Sequence, residues 1–403
     1  METNIIDYLE KRLAKELYDN ILPFWIDNTV DNENGGFLGR IYNDLTVEEN
    51  APKGLILNAR ILWTFSRAYN ISKIDDYLQI AERAYNYLIK KFRDQEYGGF
   101  VWSVDYQGNY LDDKKRAYGQ GFAIYGLSEY YIATKDEWAL KIAIDTFHAL
   151  EEFAFDKENT GYFETYNRDW TLADDLRLSD RDMDEKKSMN NHLHVIEGYA
   201  NLYRVWKNKL LANQIRTLIQ NFNEKIINHE NMHFCLFFDE KWNPRSKNES
   251  YGHDIEGSWL LLECAEILGD DELITEIKEI ALKMAKVSKD NHLESDGAIC
   301  FEKEADGMNM ERHWWVMAEA MVGYFNAYEL TKDNSYLYAA SKVWDYIDHH
   351  HVDKEHGEWF YLIGKNGKVD EKEHKVSEWK GPYHNGRACM EILARVRKIK
   401  YGK

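Results

Sequence analysis

Apolar residues recur at helical spacing in successive stretches of the chain. Residues 77–92 and 137–150 each place their large apolar side chains on one face of a helix. These side chains are Ala81, Ala84, Tyr85, Leu88 and Phe92 in the first stretch, and Trp138, Ile142, Phe147 and Leu150 in the second. Polar turns such as Thr134-Lys135-Asp136 precede several of these runs and offer a helix N-cap. The pattern predicts a chain built mainly from helices.

A short glycine and aromatic motif divides the helical stretches into repeats. It follows a polar turn and returns every 60 to 70 residues or so. Its six copies lie at residues 35–37, 98–100, 161–163, 233–234, 297–299 and 357–360. The clearest copies lead into a short β-like run, which indicates a small hairpin. The sequence therefore predicts six units, each with two helices and a hairpin or loop.

Six helix pairs can stack into an open solenoid or close into a ring. A solenoid needs polar capping repeats at its ends, whereas the last unit here ends in an aromatic segment that contains histidine. We therefore predict an all-α fold, a closed (α/α)6 barrel with hairpins at one mouth. Residues 1–403 are expected to form one domain.

Polar and aromatic residues stand at the start of the first helix of each unit, just before an apolar run. One such residue is usually a cap or a core group, but recurrence in six units favours a shared pocket at one end of the barrel. His192 and His194 lie two positions apart, so only one of them is expected to face that pocket. The residues concerned are Asn58, Arg60, Tyr118, Gln120, Asn190, His192, His194, His253, Glu256, Trp314, Trp315, Glu319, Trp379, His384, Asn385 and Arg387.

Charge and composition exclude several classes of partner. The net charge is −19, which disfavours nucleic acid and anionic membranes as partners. The charged N-terminus has no apolar core of a signal peptide, and no apolar run is long enough to span a membrane. We expect a cytoplasmic monomer or homodimer. The 14% aromatic content suits a large core or a cleft in which rings stack on sugars.

No metal or nucleotide cofactor is expected. His253 and Glu256 have the spacing of some carboxylate metal sites, but the chain contains no second copy of that motif. It also lacks a glycine-rich phosphate-binding loop.

Five segments resemble those of the cellobiose 2-epimerases, a branch of the N-acylglucosamine 2-epimerase superfamily. They are KGLILNARILW, SMNNHLHVIEGYANLYRVW, SYGHDIEGSWLL, RHWWVMAEAMVGYFNAY and EWKGPYHNGRACME. The resemblance runs from about residue 20 to residue 396 and implies the (α/α)6 fold. It also implies chemistry without metal or nucleotide, on cellobiose, lactose and, as a further candidate, mannobiose.

The resemblance assigns catalytic roles to three histidines. His253 and His384 would be the two acid/base residues, and His194 would assist ring opening and proton relay. Arg60 and Asn190 would contact oxygens of the reacting sugar.

The remaining implied residues shape the sugar site. Glu256 would position His253 or a sugar hydroxyl, and Tyr118 matches a pocket tyrosine. Trp314, Trp315 and Trp379 would bind the disaccharide, the latter two by stacking.

These residues suit inversion at C2 of a reducing sugar. Histidine is a neutral base near pH 7, two histidines can remove and return a proton on opposite faces, and Arg60 can stabilise an enediolate. Related alternatives are an aldose–ketose isomerase and an N-acylglucosamine or mannose epimerase. An (α/α)6 glycoside hydrolase would need two carboxylates from Asp254, Glu256 and Glu319, and a sugar-binding protein would need only the aromatic walls.

Overall fold

The computed structural model describes residues 2–305 and 307–402. Helices dominate the described chain, as the apolar periodicity predicts. In order they are α1 (Glu2–Glu16), α2 (Leu22–Asn28), α3 (Leu55–Ser72), α4 (Asp75–Tyr87), α5 (Ala117–Thr134), α6 (Glu137–Ala149), α7 (Met189–Val205), α8 (Lys209–Asn221), α9 (Tyr251–Leu268), α10 (Asp271–Val287), α11 (Trp314–Thr331), α12 (Asn334–Tyr346) and α13 (Tyr383–Tyr401).

The helices form two concentric rings. The inner ring consists of α3, α5, α7, α9, α11 and α13, each in contact with the next, and α13 returns to contact α3. Most residues of α5, α9 and α11 are buried, as expected for helices that are apolar on all sides. The outer helices are amphipathic; α8, for example, buries Leu211, Ile215, Leu218 and Ile219. The fold is the predicted (α/α)6 barrel.

A backbone bridge confirms that the ring closes. Ile41, in the first loop, pairs with Val376, in the last, through N–H to O distances of 3.0 and 3.2 Å. A solenoid would leave these two edges unpaired, so the prediction of closure is confirmed.

Short strands gather the starts of the inner helices at one end of the barrel. Two-residue strands directly precede α3, α5, α7, α9 and α11, and each pairs with a strand of the following loop. The strands are β1 (Lys53–Gly54), β2 (Ser103–Val104), β3 (Tyr110–Asp112), β4 (Lys115–Arg116), β5 (Thr165–Tyr166), β6 (Lys187–Ser188), β7 (Ile227–Asn228), β8 (His233–Phe234), β9 (Phe237–Phe238), β10 (Glu249–Ser250), β11 (Glu302–Glu304), β12 (Gly307–Asn309), β13 (Arg312–His313) and β14 (Leu362–Ile363).

Buried lysine–aspartate pairs anchor four of the loops. In each, an aspartate accepts backbone N–H groups of its own turn through one oxygen and pairs with a lysine through the other. The pairs are Lys53–Asp31, Lys115–Asp94, Lys187–Asp156 and Lys375–Asp353. Breaking a pair would leave a buried charge uncompensated, so the pairs fix the loops on which the helix starts depend.

Within the described residues, every helix is too short or too polar to cross a membrane.

Candidate functional site

Side chains at the second and sixth positions of the inner helices converge at the end of the barrel that carries the strands. Positions four apart share one helix face, and here that face points to the barrel axis. The second positions include Tyr118, Asn190, Trp315 and His384. The sixth positions include Arg60, Phe122, His194, Glu256 and Glu319.

Side chains at the fourth position of three inner helices bind the backbone of the hairpins instead of facing the site. Gln120 accepts the N–H of Phe100 at 2.8 Å, and His192 Nε2 accepts the N–H of Tyr162 at 2.9 Å. Asp254 does the same for the N–H of Phe234. His192 is therefore the structural member of the His192 and His194 pair, and Asp254 faces away from the site.

Three imidazoles are each held through Nδ1. His194 Nδ1 lies 3.0 Å from Glu197 Oε2, and His384 Nδ1 lies 2.6 Å from Glu319 Oε1. His253 Nδ1 lies 2.7 Å from Ser250 Oγ. A carboxylate can only accept, so it keeps the proton of His194 and His384 on Nδ1. Their Nε2 atoms make no hydrogen bond to the described residues and can act as bases.

His253 and His384 flank the same indole. The ring centre of Trp315 lies 4.7 Å from that of His253 and 5.7 Å from that of His384. Burial is the main cause that lowers the pKa of His253 to about 3, and it lowers the pKa of His384 well below its usual value, with Arg60 adding to the effect. Both rings are therefore neutral at pH 7 in the free protein.

Arg387 lies beneath the histidines and binds three carboxylates. Its Nη1 donates to Glu197 Oε1, and its Nη2 donates to Glu256 Oε1 at 2.6 Å and to Glu319 Oε1 at 2.7 Å. Tyr383 also donates to Glu197. One guanidinium thus joins the carboxylate partners of His194 and His384.

Arg60 connects two other predicted residues. Its Nη2 donates to Tyr118 Oη at 3.1 Å, its Nη1 donates to the carbonyl of Trp379 at 2.9 Å, and its Nε has no partner among the described residues. The guanidinium also lies over the ring of Phe122 at 4.6 Å. Arg60 therefore fixes the backbone of the Trp379 segment as well as facing the site.

The chain also matches known proteins. The model of the N-acylglucosamine 2-epimerase family matches residues 36–386. A cellobiose 2-epimerase of Bacteroides fragilis is 45% identical over 96% of this chain and 99% of its own length. One of Dictyoglomus turgidum is 38% identical over 96% of this chain and 99% of its own.

A solved structure gives the same result. The cellobiose 2-epimerase of Bacillus thermoamylovorans B4167 superposes with a TM-score of 0.93 at 37% identity, over 96% of this chain and all of that one. The chain belongs to the N-acylglucosamine 2-epimerase family. It is an enzyme of the isomerase class.

The family resemblance anticipated the three histidines but not all of their partners. Glu256 was expected to position His253, but its Oε1 binds Arg387, its Oε2 has no partner among the described residues, and Ser250 holds His253. Burial, reinforced by Glu319, raises the pKa of Glu256 to about 7. The expected contact between Glu256 and His253 was therefore wrong, whereas a contact with a sugar hydroxyl stays a prediction.

The tryptophans of this epimerase-family site divide into two kinds. Trp315 and Trp379 are half-buried, and Trp379 lies 5.8 Å from Trp102 between ring centres. Trp314 is only 2% exposed and packs against Tyr361 at 4.3 Å. Trp314 therefore packs behind the other rings, and its contact with the sugar stays a prediction.

Sequence reasoning gave no role to three groups that hold the site together. Glu197 and Ser250 each stand three residues from the histidine that they bind. Residues at this spacing are neighbours on one side of a helical turn. That spacing was a usable signal for both. The bond between Tyr383 and Glu197 joins residues 186 positions apart, so no local pattern could have revealed it.

Three site groups have the composition of a metal site. Ligand atoms of Glu256, Glu319 and His384 lie within 4.8 Å of one another. The guanidinium of Arg387, however, already donates to Oε1 of both carboxylates. A cation here would have to compete with a bound, permanently charged group.

Proposed function

We propose that the protein inverts C2 of the reducing-end glucose of β-1,4-linked disaccharides, turning cellobiose into glucosyl-mannose and lactose into epilactose. The observation that supports this best is the set of three imidazoles from three inner helices, each held at Nδ1. Neutral bases of this kind suit abstraction of a carbon-bound proton next to an aldehyde.

Ring opening comes first, because only the open chain has the aldehyde that acidifies the C2 proton. His194 can take the proton from the anomeric hydroxyl through Nε2 and return a proton to the ring oxygen. Glu197, at 3.0 Å, stabilises the imidazolium that forms in between. Net charge in the site does not change over this step.

Epimerisation then needs two groups. Of His253 and His384, one removes the C2 proton and the other donates a proton to the opposite face of the enediolate. The donor takes up this proton from solvent, and the negative charge of the enediolate favours that uptake against the low pKa of the free imidazole. The base releases the C2 proton to solvent after the product leaves, so both imidazoles are neutral again. Arg60 is the natural partner for the developing charge on O1.

The carboxylates of the site do not resemble those of a hydrolase. Asp254 lies 2.6 Å from His233 Nδ1 and accepts the N–H of Phe234. Glu256 and Glu319 share Arg387 rather than facing each other across a gap. Retaining and inverting hydrolases need two carboxyl groups about 5 Å or more apart with the substrate between them, so this alternative is disfavoured.

A cavity beside Trp379 offers room for the second sugar. It has a volume of about 250 Å³. It is lined by Trp102, Arg116, Asp175, Arg177, Leu178, Ser179, Asp180, Glu378 and Trp379. The relatives named above are cellobiose 2-epimerases. We infer that the non-reducing sugar occupies this cavity, as sugars commonly pack against aromatic walls.

The test is conversion of cellobiose, lactose, mannobiose, mannose and N-acetylmannosamine, with products identified by NMR. Glucosyl-mannose and epilactose are expected, with activity unchanged after EDTA treatment. A ketose would identify an isomerase, free glucose a hydrolase, and activity on monosaccharides alone would contradict the disaccharide assignment. Loss of activity with EDTA and its return with a divalent ion would refute the metal-free proposal.

A change at the wall tests the second sugar separately. Trp379→Ala should raise KM for cellobiose at least severalfold, because it removes the wall of the cavity. Trp138→Ala, an exposed indole on α6, is the matched control. Unchanged kcat and KM in Trp379→Ala would place that ring outside the substrate site.

A further inference from the structure

Arg387 is the one residue that links two histidines through their carboxylate partners among the described residues. It lies in the first turns of α13, and its side chain is 1% exposed. It reaches Glu197 of α7 with one nitrogen and Glu256 of α9 and Glu319 of α11 with the other. Four inner helices therefore meet at a single guanidinium.

Only the branched guanidinium group of an arginine can make these contacts together. The guanidinium is planar and always charged, and it presents several N–H groups in fixed directions. Two of the carboxylates also bind an imidazole. Glu197 accepts from Arg387 with Oε1 and faces His194 with Oε2. Glu319 uses Oε1 for both Arg387 and His384, and its Oε2 accepts from Trp259. The guanidinium of Arg387 also packs on the indole of Trp259, with 4.8 Å between its central carbon and the ring centre.

The geometry points to Arg387 as a positioning residue that keeps Glu197 and Glu319 ionised and so holds the proton of His194 and His384 on Nδ1. This deepens the proposed function and rests on it. Arg387 would thereby couple the group that opens the ring to a group that moves the C2 proton. It touches neither the sugar nor the reacting atoms in this role.

The third carboxyl offers the cluster a place for a proton that reduces its negative charge. Three carboxylates and one arginine would leave two excess negative charges in a buried space. Burial, and then Glu319, raises the pKa of Glu256 to about 7. Burial also raises the pKa of Glu319, with Arg387 acting against it, whereas Arg387 and His194 outweigh burial at Glu197 and lower its pKa. Glu256 is the member of the cluster that binds no histidine and has an unpartnered Oε2 among the described residues, so its geometry leaves it free to hold a proton.

Removing Arg387 would move that proton. Without the guanidinium, burial favours protonation of Glu197 and Glu319. A protonated carboxyl donates a hydrogen bond, so Nδ1 must accept it and the imidazole proton shifts to Nε2. The nitrogen that acts as a base would then be blocked.

The experiment measures the histidine tautomers directly. Protein labelled with ¹⁵N at histidine is examined by long-range ¹H–¹⁵N NMR without substrate, and signals are assigned with His194→Asn and His384→Asn. In the unmodified protein both residues should carry the Nδ1–H form. Arg387→Met and Arg387→Lys should shift one or both to Nε2–H and lower kcat by about 10²-fold or more, the usual loss for one positioned acid–base group.

Arg395 supplies the matched control. It lies two turns later on α13 and binds Asn326 and Glu329 of α11, away from the histidines. Arg395→Lys should leave both tautomers and kcat unchanged, even where it lowers Tm. His253 is an internal control, since Ser250 holds it rather than a carboxylate.

The outcomes separate this proposal from the function. Nε2–H signals for His194 and His384 in the unmodified protein would overturn the proposal even if neither Arg387 variant folds. So would Nδ1–H signals that persist in a folded Arg387 variant. Failure to convert cellobiose would instead refute the proposed function and leave the tautomer result standing.

Discussion

Each imidazole of the site takes its chemical role from the group bound at Nδ1. Glu197 and Glu319 are anionic acceptors that fix one tautomer, whereas the Ser250 hydroxyl can donate or accept. His253 can therefore change tautomer by rotation of a hydroxyl, but His194 and His384 cannot without protonation of a carboxylate. In the proposed mechanism, this difference would make His253 the more adaptable proton carrier of the three.

Replacing either of two histidines should stop the reaction. His253→Ala and His384→Ala are each expected to lower kcat/KM at least 10²-fold, since a positioned acid or base contributes about 10² to 10⁴. Steady-state assays on cellobiose measure the loss, and circular dichroism checks the fold. The exposed His229→Ala is the control. Near-normal activity in either variant would remove that residue from the mechanism.

Arg60 should not tolerate lysine. Its fork binds Tyr118 and the carbonyl of Trp379 at once, and an ammonium cannot reproduce both bonds in that geometry. Arg60→Lys is expected to lower kcat by about 10²-fold, the loss typical of one oxyanion donor. Arg67→Lys is the control, because it makes the same substitution two turns further along α3, away from the site. Equal activity in the two variants would show that Arg60 is structural.

The candidate site could be predicted only as far as local signals and family resemblance reach. Asn190 and His194 stand four residues apart on α7, a spacing that is visible in the sequence and places them on one face. Arg60, Tyr118 and His384 hold the matching sixth or second positions of other inner helices. Which carboxylate binds which imidazole depends on contacts between different helices. Trp314 and Trp315 show the limit, since adjacent identical residues differ in burial through the packing of Tyr361.

At the scale of single elements, one local feature recurs in every outer helix. Each outer helix contains a five-residue π-helical turn, which ends the helix in five cases and continues into α2 in the first. Apolar spacing did not predict this feature because it shifts the backbone register without changing residue types. These turns are Leu17–Ile21, Leu88–Phe92, Leu150–Ala154, Phe222–Ile226, Ser288–His292 and Ile347–His351. In the last five turns, the bond that closes the turn directly precedes the hairpin of the same unit, so these five hairpins leave their helices in the same way.

His192, which binds the hairpin of the third unit, should make the stability of the fold depend on pH. Burial lowers the pKa of His192 to about 3, below its usual 6.5. The unfolded chain therefore binds a proton below pH 6.5 that the folded chain does not, and stability from this residue is lost as pH falls. The loss is about 1.4 kcal/mol per pH unit.

His192→Gln should remove this dependence, because Gln120 holds the equivalent hairpin in the second unit. Denaturant unfolding of both proteins between pH 6 and pH 4 measures it. The unmodified protein should lose about 1.4 kcal/mol per pH unit relative to the variant. As a control, the stability of a variant at an exposed histidine, His229→Gln, should change with pH as that of the unmodified protein does. Parallel curves for His192→Gln would show that His192 is not buried in its neutral form.

At the scale of the whole molecule, the fold was predictable because six units repeat the same constraints. The 60 to 70 residue period and the apolar runs fix the number of helices, and the atypical last unit favours closure. The closing bridge between Ile41 and Val376 joins residues that no local pattern relates. The lysine–aspartate pairs were also not foreseen, since their members lie about 20 to 30 residues apart in segments that read as ordinary polar turns.

Closure of the ring places His253 of α9 and His384 of α13 beside the same indole, that of Trp315. Isotope exchange tests whether the two histidines act as a pair. With cellobiose in D₂O, the donor histidine passes deuterium to C2, because the proton that it donates is taken up from solvent. Product mannose should therefore be almost fully deuterated at C2 from the first turnover, as measured by NMR or mass spectrometry.

The position of the label distinguishes the other mechanisms. A single base that moved across the enediolate could return the original hydrogen, and hydride transfer through a transient ketone would keep that hydrogen on carbon throughout. Either mechanism gives early product with protium at C2 and would exclude His253 and His384 as an opposed pair. Deuterium at C1 of a ketose would instead mean that the proton returns to the neighbouring carbon. The same two histidines would then serve an isomerase, since the enediolate is shared and only the site of reprotonation differs.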